Sequence, residues 1–305
     1  MGLIAMSASN STGDSTNNNV STDDVKNNGV QKSNMKKFAV FGNPIAQSKS
    51  PVIHHAFAEQ VNLSIDYTKQ LVDVDGFADA ANVFFAAGGD GLNITSPFKY
   101  DAFQFADHLT QRAQLAEAVN TLAKQDDGSI LGDNTDSVGL LNDITQQLGW
   151  RVKGKRILIL GAGGAVRGVL YPFLQAQPQQ LVIANRTKSK ATDLAEKFSE
   201  FGSIRGYAYD ELVGETVFDV IINATSASLN GAAIPYLPQN CFTRDTAFYD
   251  MTYSTELTPF LQWAKQQNAQ HYADGLGMLI GQAAESFTLW TGLKPEIQPV
   301  FSLFK

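Results

Sequence analysis

The chain has little of what several common enzyme chemistries require. Among its 305 residues, cysteine occurs once, at Cys241, and histidine occurs four times. A lone cysteine forms no intrachain disulfide, which is typical of a reducing compartment, and scattered histidines with one cysteine make no zinc-ligand cluster. We therefore expect a cytoplasmic protein without a metal site.

Long hydrophobic runs and an excess of positive charge are also missing. No stretch approaches the roughly 20 apolar residues that a membrane-spanning helix needs. The 23 Lys and Arg residues stand against 30 Asp and Glu residues, for a net charge of -7. This balance lacks the basic footprint of nucleic-acid or anionic-lipid binding, so neither a nucleic acid nor a membrane is expected as a partner.

The amino-terminal segment differs in composition from the rest of the chain. It is rich in Asn, Ser, Thr and Asp and poor in large apolar residues. Such a segment cannot bury enough surface to offset the entropy of ordering it. We expect residues 1–35 to be a disordered tail. Beyond them, apolar strands such as residues 38–41 alternate with helical segments, which indicates an α/β fold.

A glycine-rich turn follows the apolar strand of residues 156–160. Its residues are Gly161, Ala162, Gly163, Gly164, Ala165 and, one residue further on, Arg167. Between a strand and a helix, such glycines let the backbone approach a pyrophosphate, and the helix N-terminus adds N–H donors. Because Val166 takes the third glycine position of the usual motif, a purely structural turn remains the alternative.

A basic turn follows the next predicted strand, residues 181–184. It reads Asn185-Arg186-Thr187-Lys188, with Lys190 close behind. NAD sites usually have a carboxylate here for the ribose 2′-hydroxyl, whereas a guanidinium can hold a 2′-phosphate through two hydrogen bonds. We predict NADP as the cofactor, and a solvated basic turn is the alternative.

The oxidation of an alcohol also needs a group that takes the hydroxyl proton. None of the tyrosines has a lysine four residues on, so the Tyr-x-x-x-Lys solution is missing. Lys99 is a candidate, because Ser96-Pro97 predicts a helix start that puts this cation in the first turn, against the helix dipole. An exposed surface lysine is the alternative.

Two further groups of polar residues precede predicted helices. Asp136 precedes a helix expected from Ser137 to about Leu148, and capping alone would explain it. Ser48 and Ser50 precede the helix that Pro51 begins. Capping would explain these serines too, but two hydroxyls at a helix N-terminus also suit a carboxylate.

Many short motifs together resemble those of shikimate dehydrogenases. They are residues 41–51, 93–99, 118–121, 132–136, 185–187, 223–226, 250–253 and 274–279. They occur in the family's order from about Phe38 to the C-terminus. The resemblance implies a reversible NADPH-dependent reduction of 3-dehydroshikimate to shikimate, on the pathway to chorismate and the aromatic amino acids.

The resemblance also implies roles for individual side chains. Lys99 and Asp136 match the family's catalytic pair, and Ser48 and Ser50 match the residues that hold the substrate carboxylate. The remaining substrate-pocket matches are Thr95, Asn120, Tyr253 and Gln282. Positions near the nicotinamide are matched by Met251 and Gly275. The NADP loop and the 2′-phosphate clamp are matched by residues 161–167 and 185–190, with Lys190 where arginine is common.

The family fold implies two α/β domains. Residues 36–136, completed by C-terminal helices in residues 275–305, are expected to bind substrate, and residues 137–274 are expected to form a Rossmann-like NADP domain. Two other functions stay open: a quinate/shikimate dehydrogenase that uses NAD, and a catalytically idle NADP-binding sensor. Monomer and homodimer are both compatible with the resemblance.

Overall fold

The computed structural model describes residues 35–225 and 234–304. The predicted tail, apart from its last residue, lies outside the described residues. Within them the strands form two six-stranded sheets. None of the described helices is long and apolar enough to cross a membrane.

The first sheet has the strand order β2-β1-β3-β5-β6-β4. Its strands and the helices between and after them are β1 (Lys36–Gly42), α1 (Ser50–Gln60), β2 (Ile65–Leu71), α2 (Phe77–Ala86), β3 (Gly91–Ile94), α3 (Lys99–Phe105), β4 (His108–Leu109), α4 (Gln111–Ala116), β5 (Thr121–Lys124), β6 (Ile130–Asp133) and α5 (Asp136–Asn142). β1 runs parallel to β2 and β3, whereas β5 runs antiparallel to β3 and β6. The sheet is therefore mixed.

The second sheet is parallel throughout, with the order β12-β11-β10-β7-β8-β9. Its elements are β7 (Arg156–Leu160), α6 (Gly164–Gln175), β8 (Gln180–Asn185), α7 (Lys188–Lys197), β9 (Ile204–Ala208), β10 (Val220–Asn223), β11 (Ala247–Asp250), α8 (Pro259–Gln266), β12 (His271–Ala273) and, after it, α9 (Leu276–Thr291). The strand order reverses between β7 and β10. In open parallel sheets, ligands bind at the carboxyl ends of the strands beside this reversal.

Each central strand is apolar because both of its faces are covered. In β1, Phe38 and Val40 face one core, while Ala39 and Phe41 face another. The strand β7 alternates in the same way between two cores of the second sheet. Most of the polar side chains that could carry chemistry are thereby left to the ends of the strands.

Helix α9 returns from the second sheet to cover the first. Trp290 near its end stacks on Phe38 with ring centroids 4.5 Å apart, and the Trp290 Nε1 donates a hydrogen bond to the Leu122 carbonyl at 2.9 Å. Earlier in α9, the backbone comes very close to α5. A Cβ on Gly139 of α5 would lie 2.5 Å from the backbone nitrogen of Gln282. Only glycine permits this approach, which brings Gln282 next to the start of α5.

Several details of the predicted helices differ in the structure; α1, for example, begins at Ser50, one residue before Pro51. Helix α3 begins at Lys99, so Pro97 precedes the helix, and its start has no side-chain cap from Ser96; Lys99 nevertheless lies in the first turn. Asp136 is the first residue of α5 and does not cap it. The regular helix expected to about Leu148 changes into a π-helical segment, Asp143–Gln147.

Asp143 begins this π-helical segment and is buried against the second sheet, 3% exposed. Burial raises the pKa of Asp143 to about 6; the hydrogen bond from the Tyr249 hydroxyl opposes the rise, and the charge of Asp274 adds to it. The Tyr249 hydroxyl donates to Asp143 Oδ2 at 2.7 Å. The carboxylate is therefore held in a position where its ionisation has an energetic cost.

The free energy of unfolding is expected to fall as pH rises through this titration. Between 3.8, the ordinary pKa of the group, and about 6, the folded chain binds more protons than the unfolded chain, so stability decreases with pH. From about pH 5 to about pH 8 the loss due to Asp143 should be on the order of 1 kcal/mol. Urea unfolding of wild type and Asp143→Asn at both pH values measures it. Identical pH dependence of the two proteins would contradict the assignment.

Candidate active site

A cavity of ≈ 260 Å³ lies where the strand ends of the first sheet face the segments that follow β11 and β12. It brings together all eight residues predicted to act on or bind the substrate: Ser48, Ser50, Thr95, Lys99, Asn120, Asp136, Tyr253 and Gln282. Two residues predicted near the nicotinamide, Met251 and Gly275, also line it. Side chains from separate stretches of the chain thus converge on one space.

Lys99 and Asp136 form an ion pair in the wall of this cavity. Lys99 Nζ donates to Asp136 Oδ2 at 2.5 Å, and Asn120 Nδ2 donates to Asp136 Oδ1 at 2.9 Å. The side chains of Lys99 and Asp136 are 37% and 21% exposed, so both remain accessible to a ligand. The carboxylate is therefore used to hold an ammonium and an amide rather than to cap α5.

Further hydrogen-bonding groups surround the pair. Asn120 Nδ2 also donates to Gln282 Oε1 at 3.2 Å, and Gln282 Nε2 donates to the Leu279 carbonyl at 2.9 Å. Burial raises the pKa of Tyr253, so its hydroxyl keeps its proton at neutral pH and can donate. The arrangement offers donors and acceptors suited to a polyhydroxylated ring.

Ser48 and Ser50 stand at the entrance to α1. Ser48 Oγ donates to Ser50 Oγ at 3.2 Å and accepts from the Ser50 backbone nitrogen, the first of α1, at 3.3 Å. The N-cap residue itself, Lys49, supplies no side-chain cap. The loop that carries Ser48 is held by Lys69, whose Nζ donates to the Ala46 carbonyl at 2.6 Å. Two adjacent hydroxyls are therefore presented to the cavity on a supported loop.

The charge of the cavity wall favours an anion. Its described lining contains three charged side chains, those of Lys49, Lys99 and Asp136. Because Lys99 and Asp136 compensate each other, Lys49 leaves a net positive charge beside the two serine hydroxyls. A carboxylate bound there would be attracted even before it makes hydrogen bonds.

A second cavity, of ≈ 390 Å³, adjoins the first. The two share Lys99, Asp136, Met251 and Met278, and the second extends to the glycine turn at Gly164, Ala165 and Arg167. The Lys99–Asp136 pair therefore stands at the junction of two spaces, one lined by the serines and the other by the start of α6.

The glycine turn has room for a group that lies against its backbone. Gly161 has φ +113°, in the left-handed region that favours glycine, and the Cβ positions of Gly163 and Gly164 face open space. Arg167 Nε is buried without a hydrogen-bond partner among the described residues, while its Nη1 donates to Glu117 at 2.5 Å. An open backbone cradle and an unpartnered cationic donor suit a pyrophosphate.

The basic turn after β8 is not among the residues described as lining either cavity. Asn185 Nδ2 donates to the Thr187 carbonyl at 2.9 Å, which supports the turn. Arg186 and Lys190 are exposed, whereas Lys188 pairs with Glu211. The predicted cofactor residues thus form two groups: the glycine turn with Gly161 and Ala162, and this basic turn one strand away.

One pocket residue, Asn93, was not among the predicted site residues. Its side chain is 4% exposed and lines the first cavity from β3. A polar residue inside a short strand that is otherwise apolar was the available signal. Among the described residues, no group of three or more His, Cys, Asp or Glu side chains is placed to hold a metal ion.

Family models match most of the chain. Residues 40–122 match the shikimate dehydrogenase substrate binding domain, residues 143–232 match shikimate / quinate 5-dehydrogenase, and residues 275–300 match the shikimate 5′-dehydrogenase C-terminal domain. The shikimate dehydrogenase (NADP(+)) of Cellvibrio japonicus is 56% identical over 268 residues, which cover 88% of this chain and 96% of the relative. The chain belongs to the shikimate dehydrogenase family. The Saccharophagus degradans member is 52% identical over 276 residues, covering 89% and 99% of the two chains.

Solved structures of similar proteins agree with this assignment. The Ael1 enzyme from Pseudomonas putida superimposes with a TM-score of 0.81 at 43% identity, over 88% of this chain and 97% of that one. The shikimate 5-dehydrogenase of Thermus thermophilus, in complex with NADP(H) and shikimate, gives a TM-score of 0.74 at 32% identity, over 86% and 96% of the chains. The predicted shikimate dehydrogenase family and α/β fold class are thereby confirmed.

Proposed function

We propose that this chain is an NADP-dependent shikimate dehydrogenase that interconverts 3-dehydroshikimate and shikimate on the route to chorismate and the aromatic amino acids. The observation that carries the proposal is the Lys99–Asp136 pair, with Nζ and Oδ2 2.5 Å apart, at the junction of the two cavities. One cavity suits a hydroxylated carboxylic acid, and the other leads to a turn that suits a dinucleotide.

Ser48 and Ser50 bind the carboxylate of the substrate. Their hydroxyls are adjacent, line the cavity and lie next to the uncompensated charge of Lys49. Hydrogen bonds from hydroxyls to a carboxylate are charge-assisted and therefore stronger than neutral ones. This end of the cavity fixes the direction in which the ring enters.

The ring hydroxyls are bound by Thr95, Asn120, Tyr253 and Gln282. Asn120 and Gln282 each have donor and acceptor atoms, and Tyr253 supplies a protonated hydroxyl from the other side of the cleft. Side chains from segments beside both sheets must therefore close on the same ring. Such two-sided contact holds the reacting carbon in place and excludes water.

Lys99 moves the proton. In the reducing direction its ammonium gives a proton from Nζ to the oxygen that becomes the hydroxyl, and in the oxidising direction Nζ takes that proton back. Asp136 holds Nζ at the reacting oxygen, and Asn120 holds Asp136 through the other carboxylate oxygen. Lys99 and Asp136 are thus the catalytic residues.

The chain's own residues fit NADP, which when bound exchanges a hydride with the substrate carbon. Gly161, Ala162, Gly163, Gly164 and Ala165 form the cradle for its pyrophosphate, with Arg167 beside them. The clamp for the 2′-phosphate consists of Asn185, Arg186, Thr187 and Lys190. Met251 and Gly275, which line the substrate cavity, would contact the nicotinamide.

The two functions correspond to two domains. Residues 36–136 with residues 275–305 form the substrate-binding domain, and residues 137–274 form the NADP-binding domain. This division is supported by the return of α9 to the first sheet, where Trp290 stacks on Phe38. The enzyme acts in the cytoplasm on a small-molecule substrate, as a monomer or a homodimer.

The proposal is tested by the appearance of NADPH absorbance when purified protein is mixed with shikimate and NADP. Parallel reactions replace shikimate by quinate and NADP by NAD. Turnover restricted to shikimate and NADP is the expected result. Comparable turnover with quinate or NAD would identify a broader quinate/shikimate dehydrogenase, and no turnover with any pair would identify a cofactor-binding protein without catalysis.

A further inference from the structure

Behind the wall of the substrate cavity lies a layer of three buried hydroxyls, those of Thr121, Thr135 and Ser286. All three residues have 0% exposure. The Oγ1 of Thr121 lies 2.7 Å from the Oγ of Ser286, and the Oγ1 of Thr135 lies 3.2 Å from it. This hydroxyl layer joins β5, the start of α5 and the middle of α9, yet none of its members is among the described residues that line the cavity.

The hydroxyl layer fixes the orientation of the Asn120 amide. Asn120 Oδ1 accepts from the Thr135 backbone nitrogen at 2.8 Å and from the Thr135 hydroxyl at 3.2 Å. These donors hold the carbonyl end inward, so Nδ2 must face Asp136 Oδ1. A reversed amide would instead place its carbonyl oxygen against the Asp136 carboxylate, which is repulsive.

Asn93 is oriented by the same layer. Its Nδ2 donates to Ser286 Oγ at 3.0 Å and to Thr121 Oγ1 at 3.3 Å, while its Oδ1 accepts from the Tyr67 hydroxyl at 2.7 Å. With both ends of its amide engaged in this way, Asn93 presents one fixed edge to the cavity that it lines.

Ser286 acts as the acceptor at the centre of this arrangement. Its hydroxyl donates its single proton to the Gln282 carbonyl, one turn earlier in α9, at 3.0 Å. Its oxygen is therefore left to accept from Asn93 Nδ2 and from the Thr121 hydroxyl. Of the three hydroxyls in the layer, that of Ser286 is the one that contacts Asn93, the other two hydroxyls and the Gln282 carbonyl.

We propose that Ser286 is a positioning residue for the reaction, which acts on substrate through Asn93, Asn120 and Gln282 without touching it. This inference rests on the proposed function, since it concerns the binding of the hydroxylated ring. Loss of the Ser286 oxygen removes the nearest acceptor of both Asn93 Nδ2 and the Thr121 hydroxyl. In this buried site the two donors would turn to the Asn120 carbonyl and to Asn120 Oδ1, which lie farther away. The amides that face the ring would then lose their single orientation.

The test compares Ser286→Ala with Thr288→Ala on the same helix. Thr288 makes the same kind of bond, from its hydroxyl to the Ala284 carbonyl four residues earlier at 2.8 Å, but lies outside the hydroxyl layer. Ser286→Ala is expected to lower kcat/KM for shikimate about tenfold, with KM for NADP within about twofold of wild type. Thr288→Ala should leave kcat/KM for shikimate and KM for NADP near their wild-type values.

A second variant covers the case in which Ser286→Ala does not fold. Thr121→Val removes the hydroxyl that donates to Ser286 at nearly constant volume, and it should reproduce the selective loss with shikimate. The inference would be overturned if Ser286→Ala and Thr121→Val had the same kcat/KM for shikimate as Thr288→Ala. It would also be overturned if KM for NADP rose by as large a factor as kcat/KM for shikimate fell. A wild-type protein inactive with shikimate would instead overturn the proposed function, and the inference with it.

Discussion

Replacement of Lys99 by alanine should lower kcat for shikimate oxidation by about 10²–10⁴-fold while the protein stays folded. The loss is expected because Nζ is the group placed to exchange the proton with the reacting hydroxyl, 2.5 Å from the carboxylate that holds it. Stability should change little, since the pair is partly exposed and such pairs contribute little to folding. Steady-state kinetics together with thermal unfolding measure both quantities.

A matched control is available in the first sheet. Lys36 Nζ pairs with Asp90 Oδ1 at 3.0 Å, and its side chain is 41% exposed, close to the 37% of Lys99. Lys36→Ala removes the same kind of ion pair and lies outside the described lining of the substrate cavity. It should leave kcat unchanged. If Lys99→Ala retains near-normal turnover, the role of Lys99 in proton transfer is wrong.

Replacement of Arg186 by alanine should raise KM for NADP by about 10- to 100-fold. The kcat/KM for NAD, which is much lower in the wild type, should stay within about twofold of its wild-type value. The guanidinium is exposed at the turn after β8, where a 2′-phosphate would be bound. NAD has a hydroxyl in place of that phosphate, so it has nothing to lose from the change. Kinetics with both cofactors at saturating shikimate provide the comparison.

The neighbouring Lys188 serves as the control for charge alone. It lies on the same turn, but its ammonium is already paired with Glu211. Lys188→Ala removes a positive charge from nearly the same place. It should raise KM for NADP far less than Arg186→Ala does. If Arg186→Ala changed the kinetic constants for NADP and NAD by the same factor, the Arg186 side chain would not bind the 2′-phosphate.

The parts of the fold that could be predicted are those specified by local patterns. The strand of residues 156–160 is a continuous apolar run, and glycines follow it at once, so the βαβ unit and its turn were visible in the sequence. The basic turn after β8 could be located for the same reason, because it directly follows a second apolar strand. The domain boundaries remain a prediction.

The parts that could not be predicted depend on partners that are distant in the chain. The local pattern around Asp136 indicates only a helix cap; its partnership with Lys99, 37 residues away, was implied by the family resemblance and not by that pattern. The layer formed by Thr121, Thr135 and Ser286 joins residues up to 165 positions apart. Each of these hydroxyls alone has no distinctive local pattern.

The π-helical segment at Asp143 was missed for a related reason. The apolar spacing after Ser137 is compatible with a regular helix, and the departure begins where Asp143 meets the Tyr249 hydroxyl of the second sheet. A buried carboxylate is uncommon in a helix interior unless it has such a partner. Its effect on stability is accordingly visible only once the tertiary contact is known.

The stacking of Trp290 on Phe38 has a consequence for the order in which a newly made chain becomes an enzyme. During synthesis β1 emerges early, but the helix that covers it follows the whole second sheet and ends at Thr291. Pairing across so long a stretch closes late. The second sheet can thus be completed while the first sheet still lacks Gln282 and its covering helix. A ribosome that stops shortly before the end would release a chain with its glycine turn formed and its first cavity unfinished.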